Sequence, residues 1–130
     1  LEVNETKEKI NHLKQQLDEL EKETFYMTQK GADAKGYLLG EGKKFVVLKG
    51  SKTASIEKAA NSFKEISAAT NLERLKKQGV LEEIDGYYQF NETHIFNSPS
   101  GASDLIYLGA TNGWKEWKNK EGESLEKLRE

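Results

Sequence analysis

Few side chains in this sequence stand where they could do covalent or acid–base chemistry. The two histidines, His12 and His94, lie far apart, and neither has a companion at a metal-ligand spacing such as His-x-x-x-His. Cysteine is absent, which removes disulfides, thiolate metal sites and thiol nucleophiles together. No Gly-x-Ser-x-Gly elbow, Walker loop or dinucleotide fingerprint occurs. Glu82 and Glu83 precede a turn and read as rim charges. No nucleophile, base and orienting group come together, so the chain is expected to be non-catalytic, without metal or cofactor.

Three stretches could bind rather than react. Lys49-Gly50-Ser51-Lys52 follows an apolar run, and glycine there would let backbone approach a phosphate between two lysines. An ordinary strand-end turn is the plainer reading. Ser98-Pro99-Ser100 starts a helix whose free N–H groups could hold a phosphate, unless Ser98 caps them itself. Asn112-Gly113-Trp114-Lys115-Glu116-Trp117-Lys118 reads as a turn followed by a strand. A strand would send Trp114 and Trp117 to opposite faces, one into the core and one out to stack on a base. Burial of both rings is the alternative. The residues singled out for nucleic-acid contact are Lys43, Lys44, Lys49, Ser51, Lys52, Ser98, Ser100, Trp117 and Lys118.

Charge gives these residues a setting. The net charge of −2 divides into −3 for residues 1–24, +6 for residues 25–80 and −5 for residues 81–130. A basic middle in a mildly acidic chain is the footprint expected for a polyanionic partner such as DNA, or simply a solvated lysine-rich surface. The mean hydropathy is −0.80, and no apolar run approaches the roughly 20 residues that span a membrane. Leu1-Glu2-Val3-Asn4 is no signal-peptide start. The chain reads as a piece of a longer, cytoplasmic protein.

Two units must position these residues: a helix over residues 1–24 and one domain over residues 25–130. In the first, Val3, Ile10 and Leu17 repeat at position a, and Thr6, Leu13 and Leu20 at d. The seam Ile10, Leu13, Leu17 and Leu20 needs a partner, since a lone helix of this length is marginal. In an antiparallel pair Lys9 meets Glu23, Lys7 meets Glu21, Ile10 meets Leu20 and Leu13 meets Leu17, whereas a parallel pair sets Lys9 against Lys14. An antiparallel homodimer is therefore one expectation, and a linker helix packed on its own domain is the other.

The domain is expected to be α+β. Phe25 to Gln29, Tyr37 to Leu39 and Lys44 to Leu48 read as strands, the first two around a turn over 30–36. Residues 51–61 form a loop or a weak helix. Ser67 to Gln78 reads as a helix stopped by Gly79, with Leu72 and Leu75 inward. A hairpin turns at Asp85-Gly86. A second helix starts at Ser98, buries Ala102, Leu105, Ile106 and Leu108, and ends at Gly109. A short last helix follows Ser124, with Leu125 and Leu128 inward. The mix lacks a regular βαβ alternation, which favours antiparallel pairing.

Phe45 to Lys52, Leu72 and Leu75, Gly79-Val80-Leu81, Ser98-Pro99-Ser100, Asn112-Gly113-Trp114-x-x-Trp117-Lys118 and the stretch Gly122 to Arg129 together resemble a bacterial domain of unknown function. That domain occurs at the C-terminal end of GIY-YIG nuclease family proteins, and a similar motif occurs near restriction-modification methylases. The likeness covers residues 35–130. It departs at Gly101 and Ser103, which stand where the family has Ala-like residues. The nuclease signature itself is absent: Asp104-Leu105-Ile106-Tyr107-Leu108-Gly109 does not match it. The resemblance implies an accessory module, attached to a catalytic domain upstream in a DNA-acting protein. The alternative expectation is a protein-interaction or oligomerisation module that positions such a domain.

Overall fold

A computed structural model describes residues 23–39 and 44–129. The heptad seam Ile10, Leu13, Leu17 and Leu20, with His12, lies outside the described residues, and so does Lys43. The described domain is α+β, as the mixed periodicities require. Strands β1 (Phe25–Met27), β2 (Ala34–Leu39) and β3 (Lys44–Val47) form an antiparallel meander, which β6 (His94–Phe96) extends in the order β1-β2-β3-β6. Between β3 and β6 the chain makes helix α1 (Ser67–Lys77) and the hairpin of β4 (Leu81–Ile84) and β5 (Tyr87–Phe90). Helix α2 (Pro99–Tyr107), the single turn α3 (Gly113–Glu116) and a 3-10 turn at Leu125–Arg129 complete it. No helix among the described residues is long and apolar enough to cross a membrane.

Local chemistry explains most element ends. Asp85 and Gly86 take φ of 52° and 87°, the left-handed pair that a two-residue hairpin turn needs. After α1, the Val80 N–H donates to the Leu75 carbonyl and the Gly79 N–H to that of Lys76, with Gly79 at φ 79°. That is the Schellman pattern, which only a residue tolerant of positive φ closes cheaply. Ser98 Oγ accepts from the Gly101 N–H at 2.9 Å, and Pro99 occupies the first helical position.

Three expectations need correction. Residues 114–118 are not a strand: Asn112 Oδ1 accepts from the Trp114 N–H, and the chain makes a helical turn before Trp117. The three-residue spacing of the tryptophans fits that turn better than the period of two in a strand. Helix α2 ends on Leu108, at φ 56°, and Gly109 is needed for room instead. A Cβ on Gly109 would stand 3.0 Å from the Ala60 Cβ. Strand β2 begins at Ala34, so the turn ahead of it is shorter than the glycines suggest. The segment after Gly50 is a loop with 3-10 turns at Ile56–Lys58 and Asn61–Glu65, pinned where Lys52 bridges both Asp33 and Gln89.

One face of the sheet carries the core; on the other, Val46 is also buried, at 2% exposure, while Lys35, Lys44 and Ile95 are exposed. Phe25, Met27, Ala34, Phe45, Val47 and Phe96 point to the core, where α2 packs on β3 and β6. Leu72, Leu75, Leu105, Ile106, Trp117 and Leu125 fill that side. Thr53 is the buried polar anchor: its Oγ1 accepts from the Tyr88 N–H at 3.0 Å and donates to the Ala54 carbonyl at 2.9 Å.

Candidate functional site

The two motifs that stand out in the sequence meet in space and hold each other. Gly113 N–H donates to Ser100 Oγ at 3.0 Å, and Trp117 Nε1–H donates to the Pro99 carbonyl at 3.1 Å. Gly113 lies so close to the start of α2 that a Cβ there would fall 2.3 Å from the Pro99 carbonyl carbon. The Trp117 indole is fully buried and stacks on Phe45 with ring centroids 4.3 Å apart. Trp117 therefore has no face left for a base, although it is among the residues singled out for contact. The partly buried ring is Trp114. Ser98 and Ser100 spend their hydroxyls on the fold, so the start of α2 is closed by capping and by Gly113 rather than open to a phosphate.

The glycine turn after β3 is likewise spent. The Lys49 N–H donates to Thr93 Oγ1, that of Gly50 to the Phe90 carbonyl, that of Ser51 to the Leu48 carbonyl and that of Lys52 to the Asp33 carbonyl. Four consecutive amides with protein partners leave no backbone nest for an anion. Ser51 is buried, and its Oγ accepts from the Lys35 N–H at 3.1 Å. Lys49 is exposed. Lys52 lies across one row of bridges from Asp33 and Gln89, with Gln89 paired to Glu82, and its Nζ sits 5.2 Å from the centre of the Tyr87 ring. The two carboxylates of that row offset its charge.

The sheet face opposite the core is where basic and aromatic groups do converge, around a buried Val46. Paired residues in antiparallel strands share a face. Tyr26 pairs with Lys35 on one side and bridges Lys118 on the other, giving the row Lys118-Tyr26-Lys35. Two residues further along β2, Tyr37 pairs with Val46, which pairs with Ile95. Lys44, paired with Leu39, lies beyond these on the same face. Lys35, Lys44 and Lys118 are exposed, Tyr26 and Tyr37 are partly buried, Val46 is buried, and Ile95 is 52% exposed. No carboxylate lies in either row. The Tyr26 and Tyr37 positions are diagonal neighbours, about 7–8 Å apart at that geometry.

Of the expected contact residues, this face thus includes Lys44 and Lys118. It adds Tyr26, Lys35 and Tyr37, for which the sequence held one usable signal: the alternation of outward Lys35, Tyr37 and Leu39 with inward Ala34 and Gly36. Gly36 is required there, because a Cβ would stand 2.4 Å from the Phe45 ring.

No other polar cluster offers a reacting centre. Among the described residues, no group of three His, Cys, Asp or Glu side chains could hold a metal. His94 has its pKa lowered by burial and by the nearby Arg74 guanidinium, against a smaller pull from Glu92. It meets the Phe96 ring edge-on at 4.9 Å.

No curated protein and no solved structure matches the chain. A family model described as a domain of unknown function does match, over residues 25–129, which is most of the chain and all of the sheet, helices and interlocked motifs described above. The chain belongs to that family, DUF4357.

Proposed function

We propose that residues 25–129 are a non-catalytic accessory domain that holds single-stranded nucleic acid on the sheet face opposite its core. The observation that carries this reading is the carboxylate-free pair of rows in which Tyr26 stands between Lys118 and Lys35, with Tyr37 diagonal to it. Aromatic side chains on a sheet give stacking platforms that every base can use, and flanking lysines track the phosphates. Duplex DNA suits the face less, since its bases are already stacked on each other. The resemblance to domains at the C-terminal end of GIY-YIG nuclease family proteins and near restriction-modification methylases supports a DNA-acting parent. In that setting the module supplies grip and the upstream domain supplies chemistry.

A second reading draws on the same face. Tyr37, Val46 and Ile95 make an apolar row that would also suit a protein partner, as in an assembly module that positions an attached catalytic domain. Fluorescence anisotropy of the chain with labelled single- and double-stranded DNA separates the two. With three lysine contacts on a single strand the salt slope is about −2, so affinity should fall about 20-fold between about 50 and 200 mM salt. Absence of binding to either form at the lower salt and tens of micromolar protein would reject the nucleic-acid reading in favour of assembly.

A further inference from the structure

The two edges of the four-stranded sheet are finished differently. Antiparallel strands alternate residues that exchange N–H···O bonds with residues whose backbone groups point away from that neighbour. The Leu48 N–H donates to the Lys35 carbonyl at 2.9 Å, which sets the phase of the sheet. Counting in twos from Leu48, Val46 bonds to Tyr37 of β2, while Phe45 and Val47 turn their backbone groups to Phe96 and His94 of β6. On the other side the same count turns the Tyr26 backbone off the sheet, and there the chain closes its own edge. The Tyr26 N–H donates to the Lys118 carbonyl at 2.7 Å, and the Tyr26 carbonyl accepts from the Lys118 N–H at 3.2 Å.

At the β6 edge the count turns Ile95 outward. Its N–H and C=O meet no partner among the described residues, and neither do those of Thr93 and Asn97, two residues to each side. All three residues are exposed, and at 52% Ile95 is the exposed large apolar side chain among the described residues. Sheet edges left open in this way are normally guarded by lysine, proline or a bulge. The stretch Thr93-His94-Ile95-Phe96-Asn97 holds neither lysine nor proline, and its register with β3 is regular.

An edge of this kind accepts another extended backbone with the same spacing of free groups. This one supplies its own complement. Thr93 and Asn97 are symmetric about Ile95, so a two-fold axis at Ile95 sets Ile95 against the partner's Ile95 and Thr93 against the partner's Asn97, with the third pair following by symmetry. Every outward N–H and C=O of the edge is then used in one antiparallel ladder. On the face opposite the core the two Ile95 side chains lie side by side, as paired residues do. On the core side His94 stands beside the partner's Phe96. None of these pairs sets like charges together. The sheet order β1-β2-β3-β6 becomes eight strands, and the row Tyr37-Val46-Ile95 runs on into the same row of the partner.

We propose that two copies of this chain pair antiparallel through their β6 edges, about a two-fold axis at Ile95. The ladder over residues 93–97 is far shorter than the roughly 20–30 residues a side of a stable interface, so the dimer is weak and concentration-dependent. The pairing does not depend on what the sheet face binds, and it is tested without nucleic acid. Sedimentation equilibrium of the full chain from about 10 µM to about 1 mM should show the mass rise from one copy towards two. Amide hydrogen exchange followed by NMR locates the contact. The Ile95 amide should exchange at least about threefold more slowly at the higher concentration, whereas that of His94, already bonded within its own sheet, should hold steady. Ile95→Pro removes a donor that the chain's own sheet does not use, so the fold should stand while the mass stays that of one copy. Ile95→Lys keeps the backbone donors but sets two like charges together on the axis, with the same loss of pairing. Should the proline variant not fold, the lysine variant and the exchange rates decide. A single-copy mass throughout the range, an Ile95 amide indifferent to concentration, or an association that neither Ile95 change reduces would overturn the proposal. The last result is the one expected of a dimer held by the heptad of residues 1–24.

Discussion

Alanine at Gly113 should destabilise far more than alanine at Gly101, although both glycines sit in helical turns and lie only twelve residues apart. A Cβ at Gly113 would fall 2.3 Å from the Pro99 carbonyl carbon, 2.4 Å from its oxygen and 2.4 Å from the Ser100 nitrogen. All three are backbone atoms of the first turn of α2, fixed by the Ser98 cap, so none can swing aside. Relief requires the turn carrying Trp117 to move away from α2. Overpacking of this kind costs about 1–3 kcal/mol. The same movement stretches the Gly113–Ser100 and Trp117–Pro99 hydrogen bonds, each worth about 1 kcal/mol net. Against this, alanine gains up to about 1 kcal/mol of helix propensity. The sum is a loss of about 2–4 kcal/mol, a large share of the roughly 5–15 kcal/mol that holds a small domain. At Gly101 the added methyl meets only Ser98 Oγ, at 3.2 Å; that tight contact with the capping hydroxyl offsets the propensity gain, so the change should stay within about 1 kcal/mol of the parent. Urea unfolding followed by tryptophan fluorescence reads both, as shifts in midpoint at constant slope. A Gly113→Ala midpoint equal to that of the parent would refute the claim that these motifs interlock to hold the fold.

Other consequences are smaller or narrower. Thr53→Val keeps the shape but strips the acceptor from the buried Tyr88 N–H, and should cost about 1–3 kcal/mol in the same urea assay. Gly36→Ala drives a methyl into the Phe45 ring and the Val46 carbonyl, so it should destabilise by about 1–3 kcal/mol, with a change in near-ultraviolet dichroism as the Phe45–Trp117 stack shifts. His94 has a folded pKa below its ordinary 6.5, because burial first and Arg74 second favour the neutral ring. Its contribution is therefore complete above about pH 6.5 and is lost as pH falls through the folded value, where the unfolded chain binds the proton more readily. His94→Gln should flatten the stability curve in that window relative to the parent, and an unchanged difference between the two at every pH would contradict this.

The fold was legible wherever local backbone chemistry acts alone. Asp85-Gly86 can form little but a tight hairpin turn, Gly79 stops α1, and Ser98-Pro99 starts α2; each is decided within four or five residues. What sequence could not supply was which groups the tertiary structure would consume. Ser51, Ser98, Ser100 and Trp117 have the chemistry of a nucleic-acid site; Ser51, Ser100 and Trp117 are taken by partners more than a dozen residues away, and Ser98 by its own helix. The Ser51 amide is taken by the Leu48 carbonyl within the turn itself, but those of Lys49, Gly50 and Lys52 go to Thr93, Phe90 and Asp33, pairings no turn motif foretells. Conversely, Tyr26 and Lys35 become neighbours only through strand register, and Lys118 joins them only because the chain returns to β1 after the α3 turn. The tryptophan spacing of three is a helical signal, which competes with the β propensity of the ring.

The most direct test of the account compares two charge reversals in anisotropy titrations with labelled single-stranded DNA. Lys35→Glu with Lys118→Glu inverts the row around Tyr26, whereas Lys49→Glu with Lys52→Glu alters the glycine turn and its carboxylate-flanked neighbour. The account predicts that the first pair abolishes binding and the second changes affinity by less than about threefold, a Coulombic effect on the order of 0.5 kcal/mol at the surface. Full binding by the first pair, or loss confined to the second, would contradict it.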